Sequence, residues 1–221
     1  MDIVIIGNSE YAQMIGDYIE EDERYDLVAY AVDSKYIKES EVKGISVISA
    51  ENLEESFPPD RVKLVLAIGY SNRMDIRKEI YEQYVKRNYI FINYIHPTAI
   101  VDSKLNIGSG NIILEGVIIG KYVQIGNANL FFQGSVIAHN DQIQDYNTFA
   151  SKAVLAGFVT VHNNNFIGLG AVISNNVHID DYVFVGAGAH VDMELPSESV
   201  VLAPKNKVML GRGSQIMWET F

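Results

Sequence analysis

Between Ile95 and Leu195 the hydrophobic pattern repeats every six residues. Ile95, Val101, Ile107, Ile113, Ile119, Ile125, Phe131, Ile137, Ile143, Phe149, Leu155, Val161, Ile167, Ile173, Ile179, Val185 and Val191 are all large and apolar. In a chain with about half of its residues apolar, such a run has a chance on the order of 10⁻⁵. The fifth residue of each hexad tends to be small or β-branched (Ala99, Val117, Ser135, Ala153, Val177, Ala189), and the second is often Gly or another small residue (Gly108, Gly120, Gly126, Gly168, Gly186). A period of six does not fit an amphipathic helix, which places apolar residues three and four apart, but it is a multiple of the strand period of two. Sustained repetition predicts a solenoid. Each hexad is one short strand plus a turn, three hexads close a triangular coil, and parallel ladders stack the coils. The first residue then fills the prism and the small second residue fits the corner. The phase holds from 95 to 195, so no inserted loop is expected. A β-sandwich with coincidental spacing is the alternative.

Residues 1–94 read differently. Ile3 to Ile6 form an apolar run ending at Gly7, and a helical pattern follows from Tyr11 to Ile19. Further strands are predicted at Leu27–Val32, Gly44–Ile48 and Val62–Ile68, with a last one at Tyr89–Tyr94. Ser49 is placed to cap a short acidic helix that ends at Pro58-Pro59. Ser71 is placed to cap a helix reaching about Arg87, with Ile76, Ile80, Tyr81 and Tyr84 on its apolar face. Alternating strands and helices predict a Rossmann-like parallel sheet whose ligands sit at the carboxyl ends of its strands. Those ends carry Gly7 to Tyr11, Asp33 and Gly69 to Arg73. The spaced glycines of a dinucleotide site are missing after Gly7, and Glu10 would oppose a phosphate at the helix N-terminus. Asp33 suits a ribose or sugar hydroxyl, and equally a plain turn after a strand.

Composition narrows the class. The net charge is −11 and the sequence pI about 4.8, which disfavours nucleic acid as a partner. With no cysteine there is no disulfide framework, thiolate metal site or Cys nucleophile. Met1 leads directly into a strand, so no signal peptide is expected. No run approaches the length of a membrane span, and a cytoplasmic location is the default expectation.

Of the five histidines, His139 is singled out by geometry. It is third in its hexad, with Lys121 eighteen residues before it and Gly157 eighteen after. Stacked on one corner, Gly157 leaves a slot above the imidazole through which a thin ligand could pass. A neutral imidazole suits general-base work at neutral pH. Without a cysteine, direct attack of an amine or hydroxyl on a thioester is simpler than a covalent acyl-enzyme. The histidine spacings do not bring three to one place, so no metal is expected.

The whole chain resembles the hexapeptide-repeat sugar acyltransferases typified by the sialic acid O-acetyltransferase and the bacillosamine-pathway UDP-amino-sugar N-acetyltransferase. The resemblance rests on Gly7-Asn8-Ser9-Glu10-Tyr11, on Ala67-Ile68-Gly69 with Asn72 and Arg73, and on His96-Pro97-Thr98-Ala99. It continues through Ser135-Val136-Ile137-Ala138-His139 and the closing segment from Val185-Gly186-Ala187-Gly188-Ala189 through Leu195-Pro196 to Val208. It implies an α/β Rossmann-like domain (1–94) that binds a nucleotide sugar. A left-handed parallel β-helix (95–221) then binds acyl-CoA and carries a C-terminal tail. It further implies His139 as general base, with acetyl-CoA or another acyl-CoA as cosubstrate, no metal, and a homotrimer with coenzyme grooves between subunits. Coenzyme contacts map to Asn147, Gly157, Leu169 and Ala187. Nucleotide-sugar contacts map to Ser9, Glu10, Tyr11, Asp33 and Gly69.

The chain departs from the family's pattern at several of these positions. Asn140 stands where the family has an acid beside the base, Asn147 replaces a coenzyme-contacting histidine, Phe132 replaces an asparagine, and Glu10-Tyr11 replace Gly-His. Asn140 can orient the imidazole through its amide oxygen but stabilises an imidazolium less than a carboxylate does; Asp141 or Asp145 could substitute. A neutral amine needs a weaker base than a hydroxyl, so the expected reaction is acyl transfer from acyl-CoA to the amine of a nucleotide-linked amino sugar. O-acetylation of a sialic-acid-like sugar and a catalytically lapsed structural or regulatory homologue are the alternatives. A trimer would also cover Phe131, Phe132 and Phe158 if they point outward, and the apolar end Met217–Phe221 is expected to dock on protein.

Overall fold

The computed structural model describes residues 1–69 and 75–205. Ser71, Asn72 and Arg73, and the tail from 206 onward including Val208 and Met217–Phe221, lie outside the described residues.

The apolar run after Met1 forms β1 (Asp2–Ile6), followed by α1 (Glu10–Glu20) and β2 (Asp26–Val32). A hairpin of β3 (Glu41–Val42) and β4 (Ile45–Ser49) leads to α2 (Leu53–Ser56), β5 (Lys63–Leu66) and α3 (Ile76–Lys86). The sheet order is β3-β4-β2-β1-β5, parallel except for the β3–β4 pair. Ser49 caps as expected: its side chain accepts from the Asn52 N–H, on a 3₁₀ turn that precedes α2. Two expectations fail. Tyr89–Tyr94 does not become a sixth strand; it makes one bridge, Phe91 beside Leu64, and Tyr94–Ile95 already pairs with Ile112–Ile113 of the solenoid. On α3 the buried residues are Arg77, Tyr81 and Tyr84, whereas Ile76 and Ile80 are only half-buried. The face turned inward meets backbone carbonyls of the solenoid as well as apolar groups, and a guanidinium can satisfy carbonyls where an alkyl chain cannot.

From Tyr94 to Val201 the chain is a parallel β-helix of two-residue strands. Each pairs with the strand eighteen residues away: Ile118 with Val136, Gln124 with Gln142, Leu130 with Thr148. The hexad-leading residues from Ile113 to Val191 form one buried column, and Phe131 stacks on Phe149 at 4.8 Å with nearly parallel rings. Phe131 is therefore inside the prism, not an outward patch. Phe132 packs half-buried against the first domain, and only Phe158 is exposed. The phase shortens at the end of the repeat. Leu195 pairs with Ile179 sixteen residues away and Val200 with Phe184, so the last coil is two residues shorter.

The corners have two requirements. At the second position the next coil's backbone approaches closely; a Cβ on Gly120 would lie 1.4 Å from the Ala138 carbonyl oxygen. The left-handed residue is the fourth, where Tyr122, Asn140, Tyr146, Phe158 and Asn164 all have φ near +60°. Most carry side chains there, so the turns tolerate non-glycine residues in a conformation that costs them roughly 1 kcal/mol each. On one corner, asparagines continue the ladder within the prism. Asn111, Asn129, Asn147 and Asn165 each accept, through Oδ1, from the backbone N–H eighteen residues on. A second column on that corner runs the other way, with Asn127, Asp145, Asn163 and Asp181 accepting from the coil before.

The three faces differ in what their outward residues are. One carries Asn106, Gln124, Gln142, Thr160 and His178 and is polar. A second presents Tyr94, Ile112 and Leu130, which are buried against β1, β2 and α1 of the first domain. The third presents Ile100, Ile118, Val136, Val154 and Val172, with Ile100, Ile118 and Val172 exposed. The first domain is locked onto the solenoid by Arg77, whose Nε donates to the Ala128 carbonyl (2.9 Å). Its Nη2 donates to the carbonyls of Tyr146 and Asn147 and to Thr148 Oγ1. Tyr81 Oη lies 2.6 Å from Ser109 Oγ, and Tyr18 donates to Glu115.

Candidate active site

His139 follows the strand Val136–Ile137 and stands exposed on a corner of the apolar face. Its Nδ1 lies 3.0 Å from Asn140 Oδ1. An amide oxygen only accepts, so Nδ1 carries the proton and Nε2 keeps a free lone pair. The contact sets the Asn140 amide against the imidazole, and the Asn140 φ of 59° meets the turn's demand for a left-handed residue, which Asn tolerates better than most. Gly157 is the neighbour on the next coil: a Cβ there would lie 2.5 Å from His139 Cε1 and 2.8 Å from Nε2. The space beside the basic nitrogen exists because residue 157 has no side chain. The Gly157 N–H donates to Asn175 Oδ1 (2.9 Å), and Phe158 sets its ring edge-on to the imidazole, 5.3 Å between centroids.

Behind this pair lies Asp141. It occupies the inward fifth position, in a column otherwise made of Val123, Val159 and Val177, and is fully buried. Its Oδ1 accepts from the Val159 N–H (2.8 Å), while Oδ2 has no partner among the described residues. Burial raises its pKa to about 6, partly offset by the Val159 N–H and by the nearby His139. Above that value it carries a charge, and it lies near enough to His139 for the two groups to interact electrostatically. Asp145, the other acid weighed from sequence, accepts from the Asn127 backbone and side-chain N–H groups in the corner ladder.

Of the expected coenzyme-side residues, Leu169 and Ala187 are exposed on the corner at the other end of the apolar face, one coil apart: the Gly188 N–H donates to the Leu169 carbonyl. Asn147 is a correction. It is a fifth-position residue, wholly buried in the asparagine ladder, and its Nδ2 donates to the His162 carbonyl. Its side chain has no face toward a coenzyme in this structure.

In the first domain, Ser9 caps α1 by accepting from the Ala12 N–H (3.3 Å), and Glu10 lies exposed in the first turn. Tyr11 turns inward onto Phe132, with ring centroids 5.7 Å apart, and Gly69 leaves ordinary contact distance to the same ring. The Tyr11 hydroxyl is buried without a hydrogen-bond partner among the described residues, and burial pushes its pKa up. Phe132 and His139 flank the single strand Val136–Ile137, so the first domain's loop meets the corner opposite the imidazole across the apolar face. Asp33 stands apart at the end of β2, exposed and 3.5 Å from Lys35 Nζ. Among the described residues no three histidines come together, but two do so with a carboxylate. His162, His178 and Asp180 do converge, because a corner residue and a face residue sixteen apart become neighbours in an eighteen-residue coil.

Comparison with known proteins agrees with this architecture. Residues 2–84 match the family model of the PglD N-terminal domain. The acetyltransferase domain of PglB from Neisseria gonorrhoeae, solved with acetyl coenzyme A, superposes with a TM-score of 0.82 at 19% identity over 91% of this chain and 96% of that one. PerB from Caulobacter crescentus, solved with CoA and GDP-perosamine, gives 0.81 at 24% identity over 92% and 94%. WeeI from Acinetobacter baumannii gives 0.80 at 21% identity over 92% and 97%. No curated protein sequence matches the chain. The chain thus has the fold expected of it, a Rossmann-like α/β domain followed by a left-handed parallel β-helix. No helix among the described residues is long and apolar enough to cross a membrane.

Proposed function

We propose that this protein transfers an acyl group, acetyl in the simplest case, from acyl-CoA to the amine of a nucleotide-linked amino sugar. The observation that carries the reading is the His139–Asn140–Gly157 arrangement: an exposed imidazole with its basic nitrogen free beside a gap kept open by glycine. The similarly folded PerB, solved with CoA and GDP-perosamine, supports both substrate classes. The coenzyme lies along the apolar face, passing Gly157 on one corner and Leu169 and Ala187 on the other. The nucleotide sugar is held at the loop of Ser9, Glu10, Tyr11 and Gly69, with Asp33 reaching its hydroxyls.

In the reaction the amine nitrogen attacks the thioester carbonyl carbon, and the C–S bond breaks as the tetrahedral intermediate collapses. His139 Nε2 takes the proton the nitrogen must lose and can return it to the departing thiolate. The buried Asp141 carboxylate supports the imidazolium formed between these steps. Asn140 keeps the ring in its tautomer without adding charge, which suits an amine better than a hydroxyl. Three copies packed through the apolar faces would enclose the coenzyme groove and cover Ile118 and Val172, so a homotrimer belongs to the same proposal, as does a cytoplasmic site of action.

The test is CoA-thiol release from acetyl-CoA with a panel of GDP-, UDP- and dTDP-linked amino sugars. Turnover requiring both substrates and lost in His139→Ala supports the proposal. Equal turnover by the variant removes His139 from the role.

A further inference from the structure

On the edge between the polar face and the asparagine-bearing corner, three metal-ligating side chains from two coils meet. His162 occupies a corner position, Asp180 lies eighteen residues on in the same column, and His178 projects from the polar face two residues before it. His178 Nε2 is 3.0 Å from Asp180 Oδ1, and His162 Nδ1 is 3.6 Å from the same oxygen. The imidazole centroids are 4.6 Å apart at 78°, and all three ligand atoms fall within 4.8 Å of one another.

We propose that these residues form a divalent transition-metal site, of the zinc class, that staples adjacent coils. Zinc bonds of 2.0–2.1 Å to nitrogen and oxygen place tetrahedral ligand atoms roughly 3.3 Å apart. The two observed separations bracket that distance, so only small rotations are needed to admit the ion. Two imidazoles with one carboxylate favour zinc and its neighbours over calcium or magnesium, which prefer all-oxygen shells. The fourth position is open to water, because all three side chains are partly exposed.

The carriers are held in place independently of the ion. The His162 N–H donates to the Ile179 carbonyl (2.9 Å), the His162 carbonyl accepts from Asn147 Nδ2 (2.6 Å), and the Asp180 N–H donates to the Leu195 carbonyl (2.9 Å). Asn163 and Asp181, the next residues along each coil, are tied by two further hydrogen bonds. Such bracing limits the reorganisation that binding requires. The site is on a different corner from His139 and does not depend on the acyl-transfer reading. An ion bridging two coils should also oppose fraying of the shortened last coil, whose Leu195 pairs with the strand carrying His178.

The experiment titrates zinc chloride alone into tag-free full-length protein by calorimetry, with cobalt as a spectroscopic reporter of coordination. The expected result is one ion per chain and a rise in Tm with zinc. His162→Ala and His178→Ala should each weaken binding by at least roughly 10- to 100-fold and abolish the rise. His190→Ala, which removes a histidine of the apolar face bonded to Ser174, should change neither. His178→Gln keeps a hydrogen-bond donor for Asp180 and separates loss of a ligand from loss of fold; it should bind zinc as poorly as His178→Ala with an unchanged metal-free Tm. No stoichiometric binding by the unaltered protein, or binding undiminished in the His162 and His178 variants, overturns the proposal.

Discussion

Replacing Asp141 with Asn should stabilise the protein relative to the parent as pH rises. The Asp141 carboxyl is fully buried, with Oδ1 held by the Val159 N–H and Oδ2 unpartnered among the described residues, and its pKa stands at about 6 against 3.8 for the free side chain. Its folded pKa is raised, so between those values the folded state binds the proton more tightly than the unfolded state. Stability then falls as pH rises through that window: the cost is absent below the unfolded pKa and fully present above the folded one. At 1.36 kcal/mol per unit, the full cost is about 3 kcal/mol. Between pH 5.0 and 7.5 the linkage relation assigns about 1.4 kcal/mol of it. Asparagine does not titrate, so its constant effects, including the unmet hydrogens of its amide, cancel when the two pH values are compared. For a chain of this size the difference in Tm between variant and parent should shift by roughly 3–6 °C in the variant's favour on going from pH 5.0 to 7.5. The assay is thermal unfolding of both proteins at both pH values, at one protein concentration. A difference independent of pH, or one moving the other way, would show that Asp141 is not held as an unfavourably buried carboxylate. Turnover should move oppositely: Asp141→Asn removes the carboxylate behind the imidazolium formed at His139 during transfer, so kcat should fall.

Further expectations can be checked together. His139→Ala should lose on the order of 10²- to 10⁴-fold in kcat while its Tm is unchanged, because the side chain is exposed. In Gly157→Ala the new methyl would meet the imidazole at 2.5 Å, so kcat should fall by on the order of 10²-fold with normal thermal unfolding. Asn147→Ala should cost about 2–4 kcal/mol by stranding both the Asn165 N–H and the His162 carbonyl, seen in the Tm, with KM for acyl-CoA unchanged; a raised KM at full stability would restore it as a coenzyme contact. Arg77→Met removes a donor from four solenoid acceptors, of which the Asn147 carbonyl keeps the Leu130 N–H, and should cost on the order of 3 kcal/mol; limited proteolysis should then release the first domain.

Much of this was legible in the sequence where a short period governs structure. The hexad column from Ile113 to Val191 points inward as read, and the Gly157–His139 pairing follows from a separation of eighteen. Features that depend on two elements meeting were not. Arg77 reads as a polar interruption of a helix face until the solenoid carbonyls beneath it are known. Asn147 lay in a readable column, since Asn111, Asn129, Asn147 and Asn165 are spaced by eighteen in inward fifth positions. The resemblance gave it a coenzyme role that burial denies. His162 and His178 looked unrelated because a separation of sixteen matches no column; they meet only because one sits on a corner and the other on the adjoining face. Phe131 was weighed as an outward patch although its own phase put it inside.

The most direct test of the central claim compares two nucleotide sugars that differ only in bearing an amine or a hydroxyl at the acceptor carbon. Each is incubated with acetyl-CoA and either the parent protein or His139→Ala, with products weighed by mass spectrometry. Acyl transfer to an amine with His139 as base requires an amide product from the amino sugar, little ester from the hydroxyl sugar, and loss of the amide in the variant. An ester formed as readily as the amide, or an amide formed equally well without the imidazole, would contradict it.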